Sequence, residues 1–480
     1  MKRFKNISII GLLFLVAFTS CENFLLQEPR LSQTNELTLS NFDGLEKSVA
    51  AAYSPLYSAS WYGRSLVVTA DLKGGNAKLS PISSGRFTTE YLWSNTEDVT
   101  SNLWAYAYMT IARVNNVLNA LETLDEPGIT EEQTDQLKGE CYFLRALAYH
   151  DLVRLYAQQY SSGAGAPGVP VVLISEIGTP ARNTVGEVYD LIVNDLKAAE
   201  TLLGAAASRE GTDTKAYASK YAAQALLSRV YLYMGKWQDA ADYATKVINS
   251  GTFILYTADE FATVDDGGVW GTEAGGSEII FEVYGSEGND PPTNLEGPLS
   301  WDAVGYILSP DGYGDVGASK DLIDMYEAGD VRANMFTNST NYPNDFWSTK
   351  YPGKSGNLKE SNVPVLRLSE MYLTRAEAIN KGASISGVTA VDDINEIRTN
   401  RGASEKSSVS ISDILNERRM ELCFEGHQLF DLARTKSALT RNDYEGAVNK
   451  DIPFPDYRWA MPIPKAELDA NANMVQNDGY

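Results

Sequence analysis

The chain has little of what most enzymes and metalloproteins work with. It carries three cysteines and two histidines, His150 and His427, in 480 residues. Three cysteines are too few for a disulfide framework, and no close Cys/His spacing suggests zinc. Phosphate loops, dinucleotide fingerprints and nucleophile elbows are missing, so neither a metal nor a cofactor is expected. Asp311-Gly-Tyr-Gly-Asp315 offers oxygens but lacks the fuller spacing of a calcium loop, and Asp265-Asp266-Gly267 does no better. Basic charge is scarce as well, with 40 Lys and Arg against 63 Asp and Glu and a formal net charge of −23. Such a surface repels nucleic acid and anionic lipid, so neither is an expected partner. No apolar run in the chain is long enough to span a bilayer as a stable helix.

What is present points to a large core with many rings. At 44 % hydrophobic residues the chain can bury one big domain or two smaller ones. Aromatic residues make up 10 %, with 27 Tyr and 8 Trp, which is rich for an acidic protein. Some of these rings are expected at the surface for contact.

Residues 1–20 read as a secretory leader: basic MKRFK, an apolar run from Ile7 to Phe18, then Thr19 and Ser20 before Cys21. A cysteine in that position suits a lipoprotein signal peptidase, which would leave Cys21 acylated at the new N-terminus. Several acyl chains on Cys21 would anchor the chain without a transmembrane helix, through a polar tether over 21–39. An ordinary secretory peptide with an incidental cysteine is the alternative. Cys141 and Cys423 lie in apolar helical patterns and read as buried thiols, with a mutual disulfide as the alternative.

The remainder, 40–480, reads as a single, mainly α domain. Asn41 to Tyr57 is a first helix, and Trp61 to Asn95 lacks helical period and is expected as loop with short strands. From Val99 to about 250 the pattern is helical. Thr130 to Gln133 and Thr184 to Glu187 are capping boxes that open helices through Tyr156 and through Leu203. Lys215 to Ser250 gives a helical hairpin broken at Met234-Gly235. Its Ala225, Tyr231, Gly235, Trp237, Ala240 and Ala244 approximate tetratricopeptide spacing. A similar pair is expected at 366–382 and 390–400. The helical scaffold therefore covers 40–250 and 362–435. Residues 252–361 form a loop-rich insertion with a strand at 278–283, and 436–480 wrap back over the scaffold. A long irregular connection on a rigid helical frame is where binding residues tend to sit.

Ser412 to Arg434 carries charges where an amphipathic helix should be apolar. Stepping from Ile411 lands on Leu415, Arg418, Leu422, Glu425, Leu429 and Ala433, with Glu421 beside them. Charges leave water only when paired and hydrogen-bonded, so Arg418, Glu421 and Glu425 read as a structural ion-pair ladder to other helices. A catalytic role is the alternative, since shifted carboxylates cluster at active sites.

Sugars present apolar C–H faces ringed by hydroxyls, which an exposed Trp or Tyr flanked by Asp, Asn or Arg can hold. One stretch of this kind is 71–95, with Asp71, Asn76, Arg86, Tyr91, Trp93 and Asn95. The other is 270–313, with Trp270, Asn289, Asn294, Trp301, Asp302, Tyr306 and Tyr313. The glycan-binding candidates are Asp71, Arg86, Trp93, Asn95, Trp270, Trp301, Tyr306 and Tyr313.

ERRMELCFEGHQLFDLAR at 417–434 resembles the C-terminal signature of the SusD/RagB family, glycan-binding surface lipoproteins of Bacteroidota. CENFLLQEP at 21–29, LWAYAYMTIARVNNVL at 103–118, ECYFLRALAYHDLVRLY at 140–156, AAQALLSRVYLYMGKWQDAADYATKVINSG at 222–251, EIIFEV at 278–283, VLRLSEMYLTRAEA at 365–378 and MPIPKAELDANANMVQNDGY at 461–480 follow the family's order. The resemblance implies a scaffold of tetratricopeptide-like units and a non-catalytic glycan-binding lipoprotein on the outer face of the outer membrane. It also implies a TonB-dependent SusC-like transporter as the partner that receives the oligosaccharide. Two other readings stay open. A helical glycoside hydrolase needs two carboxylates ~5 to 9.5 Å apart flanking the scissile bond. A binding module for peptide or another nutrient needs a concave groove lined with Asn and Lys.

Overall fold

The computed structural model describes residues 35–99, 102–205, 215–263, 269–271, 276–285 and 302–480. The leader, Cys21 and most of the tether lie outside the described residues, as do Asp265, Asp266, Gly267, Asn289, Asn294 and Trp301. Numbering helices of seven residues or more, α1 is Phe42–Tyr53, α2 Ser65–Gly74, α3 Leu103–Leu121 and α4 Glu131–Tyr156. Then come α5 Val185–Leu202, α6 Lys220–Met234, α7 Trp237–Ile248 and α8 Leu368–Asn380. The last three are α9 Ala390–Asn400, α10 Ile411–Glu421 and α11 Gln428–Arg434.

Local chemistry sets most of these ends. The Thr130 and Thr184 hydroxyls accept from the backbone N–H of Gln133 and Glu187, whose side chains reach back to the cap residues. Ser219 caps α6, and Gly235 ends it at φ 70, a left-handed conformation that glycine adopts without strain. Helices α3 to α8 then pack each against the next, with α9 and α10 both on α8, as a tetratricopeptide-like array does.

Two elements differ from the sequence pattern. Helix α2 lies within the stretch expected as loop, and every residue from Leu66 to Gly74 is buried. A helix enclosed on all sides has no polar face, so no 3.6-residue period marks it. The helix expected through Ser412 to Arg434 is instead α10 and α11, joined by a turn in which Phe424 has φ 59 and Gly426 φ 83. Side chains from the insertion take the turn's carbonyls. Lys350 Nζ donates to the carbonyls of Glu421 at 3.0 Å and Cys423 at 2.8 Å, and the Tyr351 hydroxyl to that of Phe424 at 2.7 Å.

The insertion holds more strand than its sequence suggests. β1 (Ala77–Leu79), β3 (Val316–Ala318), β5 (Tyr342–Ser348) and β4 (Phe336–Ser339) form an antiparallel sheet in that order. β2 (Ile279–Val283) pairs antiparallel with β6 (Val363–Arg367), which runs straight into α8. Residues 436–480 lie over the scaffold: Met461 N–H bonds the Leu155 carbonyl at 2.7 Å, and Asn477 bonds that of Tyr156 at 2.8 Å. Cys141 and Cys423 are buried and are not joined to each other.

Buried charges meet at the α10–α11 turn. Glu421 receives Arg401 at 2.8 Å, Arg367 at 3.1 Å and Arg332 at 3.4 Å. Glu425 receives Lys350 at 2.5 Å and Arg367 at 2.7 Å, and Glu278 from the start of β2 receives Arg401 at 2.9 Å as well as Arg367. Arg418 faces away to Asp431 at 3.0 Å and Glu370 at 3.6 Å. Burial alone would raise the Glu421 carboxyl, but the Arg401 and Arg367 charges outweigh it and hold it well below the usual range.

Removing one partner from such a network strands the rest. Glu421→Ala should cost about 3–5 kcal/mol, read as a lowered denaturant midpoint. A second expectation concerns pH. Burial, then nearby arginines, keeps His150 and His427 well below their ordinary value. The unfolded chain takes up protons near pH ~6.5 that the folded chain refuses, so this stability is full above that pH and lost below it. Asp71, raised by burial to about 6, acts with the opposite sign between pH ~4 and ~6. Tm should therefore fall between pH 7.5 and pH 6, and His427→Asn should flatten that slope.

Candidate functional site

The loop after β1 and the segment before β3 meet around one buried carboxylate. Asp315 Oδ1 accepts from the Ser84 backbone N–H at 2.6 Å and the Ser84 hydroxyl at 2.8 Å, while Oδ2 takes Arg86 Nη1 at 3.0 Å. That pairing lays the Arg86 guanidinium over the Tyr313 ring, 4.0 Å from its centroid. Tyr306 stands edge-on to Tyr313 at 5.1 Å. The two tyrosines are brought together by a tight turn. Tyr313 N–H bonds the Tyr306 carbonyl at 2.8 Å, and a Cβ on Gly312 would sit 2.3 Å from that oxygen. Trp347, in β5, donates its indole N–H to the Gly314 carbonyl at 3.0 Å and so fixes the turn from below.

A second arginine flanks this cluster. Arg64 pairs with Asp302 at 3.1 Å and lies 5.5 Å from the Phe87 ring centroid. The Val304 N–H bonds the Gly63 carbonyl at 2.8 Å, which docks the 302–306 segment against the start of α2. Asp302 keeps 45 % of its side chain exposed and Arg86 37 %. Half-buried rings, exposed guanidinium edges and one exposed carboxylate suit a sugar: a C–H face against tyrosine, with hydroxyls bonded at the rim. Asp302 and Asp315 are each held by an arginine, Arg64 at 3.1 Å and Arg86 at 3.0 Å.

Three sequence candidates thus come together, Arg86, Tyr306 and Tyr313. Asp302 joins them, and Arg64 and Phe87 are additions that no pattern in the sequence marks. Asp315 stands out in the sequence only as a potential cation ligand, and its oxygens are occupied by Arg86 and Ser84.

Other candidates lie in the interior. Trp93 is 1 % exposed, with φ 52, its ring 4.1 Å from Lys73 Nζ on one side and edge-on to Trp459 at 4.8 Å. Asn95 is buried and accepts from Lys73 Nζ at 3.0 Å. Burial pushes that ammonium down to about 7. Asp71 is buried in α2 and accepts from Asn76 at 2.8 Å. Trp270 is buried edge-on to Phe261 at 5.3 Å and close to Lys350 and Arg367 of the ion network. These four side chains offer no face to solvent, contrary to the sequence expectation. Trp459 of the C-terminal wrap closes on Trp93, the backbone of Phe424 and Gly426 in the α10–α11 turn faces Asp71, and Phe261, Lys350 and Arg367 gather around Trp270. Trp301 lies outside the described residues.

Comparisons with known proteins match this architecture. Residues 25–232 fit a family model described as starch-binding and associating with the outer membrane, and residues 319–480 fit the SusD family model. SusD-like protein P2 of Formosa agariphila is 24% identical over 527 residues, covering 100% of both chains. A solved Bacteroides vulgatus structure is 30% identical with a TM-score of 0.80, covering 91% of this chain and 98% of that one. A SusD superfamily protein of Bacteroides thetaiotaomicron superposes with a TM-score of 0.80 at 27% identity, covering 91% and 99%. With this fold and these matches, the chain belongs to the SusD/RagB family.

Proposed function

We propose that this chain is a cell-surface glycan-binding lipoprotein that captures oligo- or polysaccharide without cleaving it and delivers it to a TonB-dependent SusC-like transporter. The observation that carries the binding step is the Tyr306, Tyr313 and Arg86 cluster locked by Asp315. A platform already held in place loses little freedom when a sugar settles on it. The family description for residues 25–232, starch-binding and associating with the outer membrane, supports both the ligand class and the location. Among the described residues no helix is long and apolar enough to cross a membrane. Attachment is therefore assigned to acylated Cys21, with the chain facing the cell exterior. The transporter as recipient rests on membership of the family.

Protein beginning at Glu22, run in native gels cast with a panel of polysaccharides, tests the capture step. One glycan should retard it, with no new reducing ends in the same mixtures. Tyr313→Ala and Arg86→Ala should each weaken that retardation at least about tenfold, the loss of about 1.4 kcal/mol. New reducing ends would favour a hydrolase, and no retardation by any glycan would favour peptide or another nutrient. For the anchor, Cys21→Ala in the full chain should move the protein out of the outer-membrane fraction.

A further inference from the structure

The charges around the tyrosine cluster bear on which sugars can settle there. Two guanidiniums, Arg64 and Arg86, are matched by two carboxylates, Asp302 and Asp315, so the four groups together hold no net charge. They differ in how open each one is. Asp315 is fully enclosed and Arg64 keeps only 18 % of its side chain exposed, whereas Asp302 is the most exposed of the four. Arg64 reaches Asp302 Oδ1 at 3.1 Å, and its guanidinium lies 5.5 Å from the ring centroid of Phe87, the neighbour of Arg86. The Val304 N–H bond to the Gly63 carbonyl holds the same segment from the other side of Asp302. A carboxylate is thus fixed at the rim of the cluster, four residues before Tyr306, with its charge facing solvent.

We propose that Asp302 makes this site selective for uncharged glycans over uronate-bearing or sulfated ones, an inference that rests on the capture function proposed above. A carboxylate only accepts hydrogen bonds, and sugar hydroxyls donate them, in charge-assisted bonds stronger than those between neutral groups. Arg86 donates in return to hydroxyl and ring oxygens. A uronate or sulfate at the same rim brings oxygens that only accept. It meets Asp302 as a like charge and finds both guanidiniums already paired. The rest of the surface adds to the preference, because a chain of formal charge −23 repels a polyanion as it approaches.

The test uses protein beginning at Glu22 in native gels cast with uncharged polysaccharides (amylopectin, galactomannan, xyloglucan) or acidic ones (polygalacturonate, alginate, carrageenan). At about 0.15 M salt, charges farther away than about 8 Å are screened, so the comparison reads the site itself. The unaltered protein should be retarded by an uncharged polysaccharide and not by the acidic ones. Asp302→Asn keeps the shape of the side chain and removes its charge. It should weaken retardation by the uncharged glycan at least about tenfold, while retardation by an acidic one appears or grows. A side chain that merely holds Arg64 in place would weaken both classes alike. That result, or no change in either class, overturns the inference. So does an unaltered protein that prefers an acidic polysaccharide and loses it on Arg86→Ala, a result that leaves capture standing and needs no Asp302 variant to fold. No retardation by either class would instead overturn the capture reading, and this inference with it.

Discussion

The fold depends on a set of buried charges that no part of the chain can satisfy alone. Glu421 and Glu425 come from the α10–α11 turn, Arg367 from the end of β6, Arg401 from just past α9, and Lys350 and Arg332 from the insertion. Each is taken out of water, and each is stable only while the others are in place. Lys350 also holds the carbonyls of the turn, so the same contact that pairs Glu425 ends the helix before it. These pairs therefore tie insertion, scaffold and signature to one another. Disulfides are not what holds them together, since Cys141 and Cys423 are separate buried thiols.

That rigidity reaches the candidate site through short strands. β1 leads from α2 to the Arg86 loop, and β3 pairs with it directly after Asp315. Asp315 fixes Arg86 and Ser84 from the interior, and Trp347 holds the Tyr306–Tyr313 turn. Rings and guanidinium are thus positioned before any ligand arrives. Recognition of this kind needs geometry and an amphipathic surface more than it needs shifted pKa values, which suits a chain with two histidines, both buried.

Much of the scaffold was legible in the sequence because its signals are local. The boxes at Thr130 and Thr184 and the glycine at 235 act within four residues of themselves. Helix α2 was not, because burial on every side erases the period that reveals a helix. The break at Phe424 was hidden for another reason: Lys350 and Tyr351, some seventy residues earlier, impose it. The site shows the same division. Arg86, Tyr306 and Tyr313 are the residue types a sugar needs, in regions where loops were expected. Trp93 and Trp270 are equally suitable types, and only the arrival of Trp459, Lys73 and Phe261 from elsewhere makes them core. Exposure of a loop aromatic is a property of the tertiary fold, so composition alone does not sort platform from interior.

The most direct test is a crystal structure of the soluble chain with an oligosaccharide that it binds. The account predicts a sugar ring against Tyr313 and Tyr306, hydroxyls bonded by Arg86 or Asp302, and Trp93 and Trp270 still buried. A glycan seated elsewhere, or one that reaches Trp93 by displacing the C-terminal wrap, would contradict it.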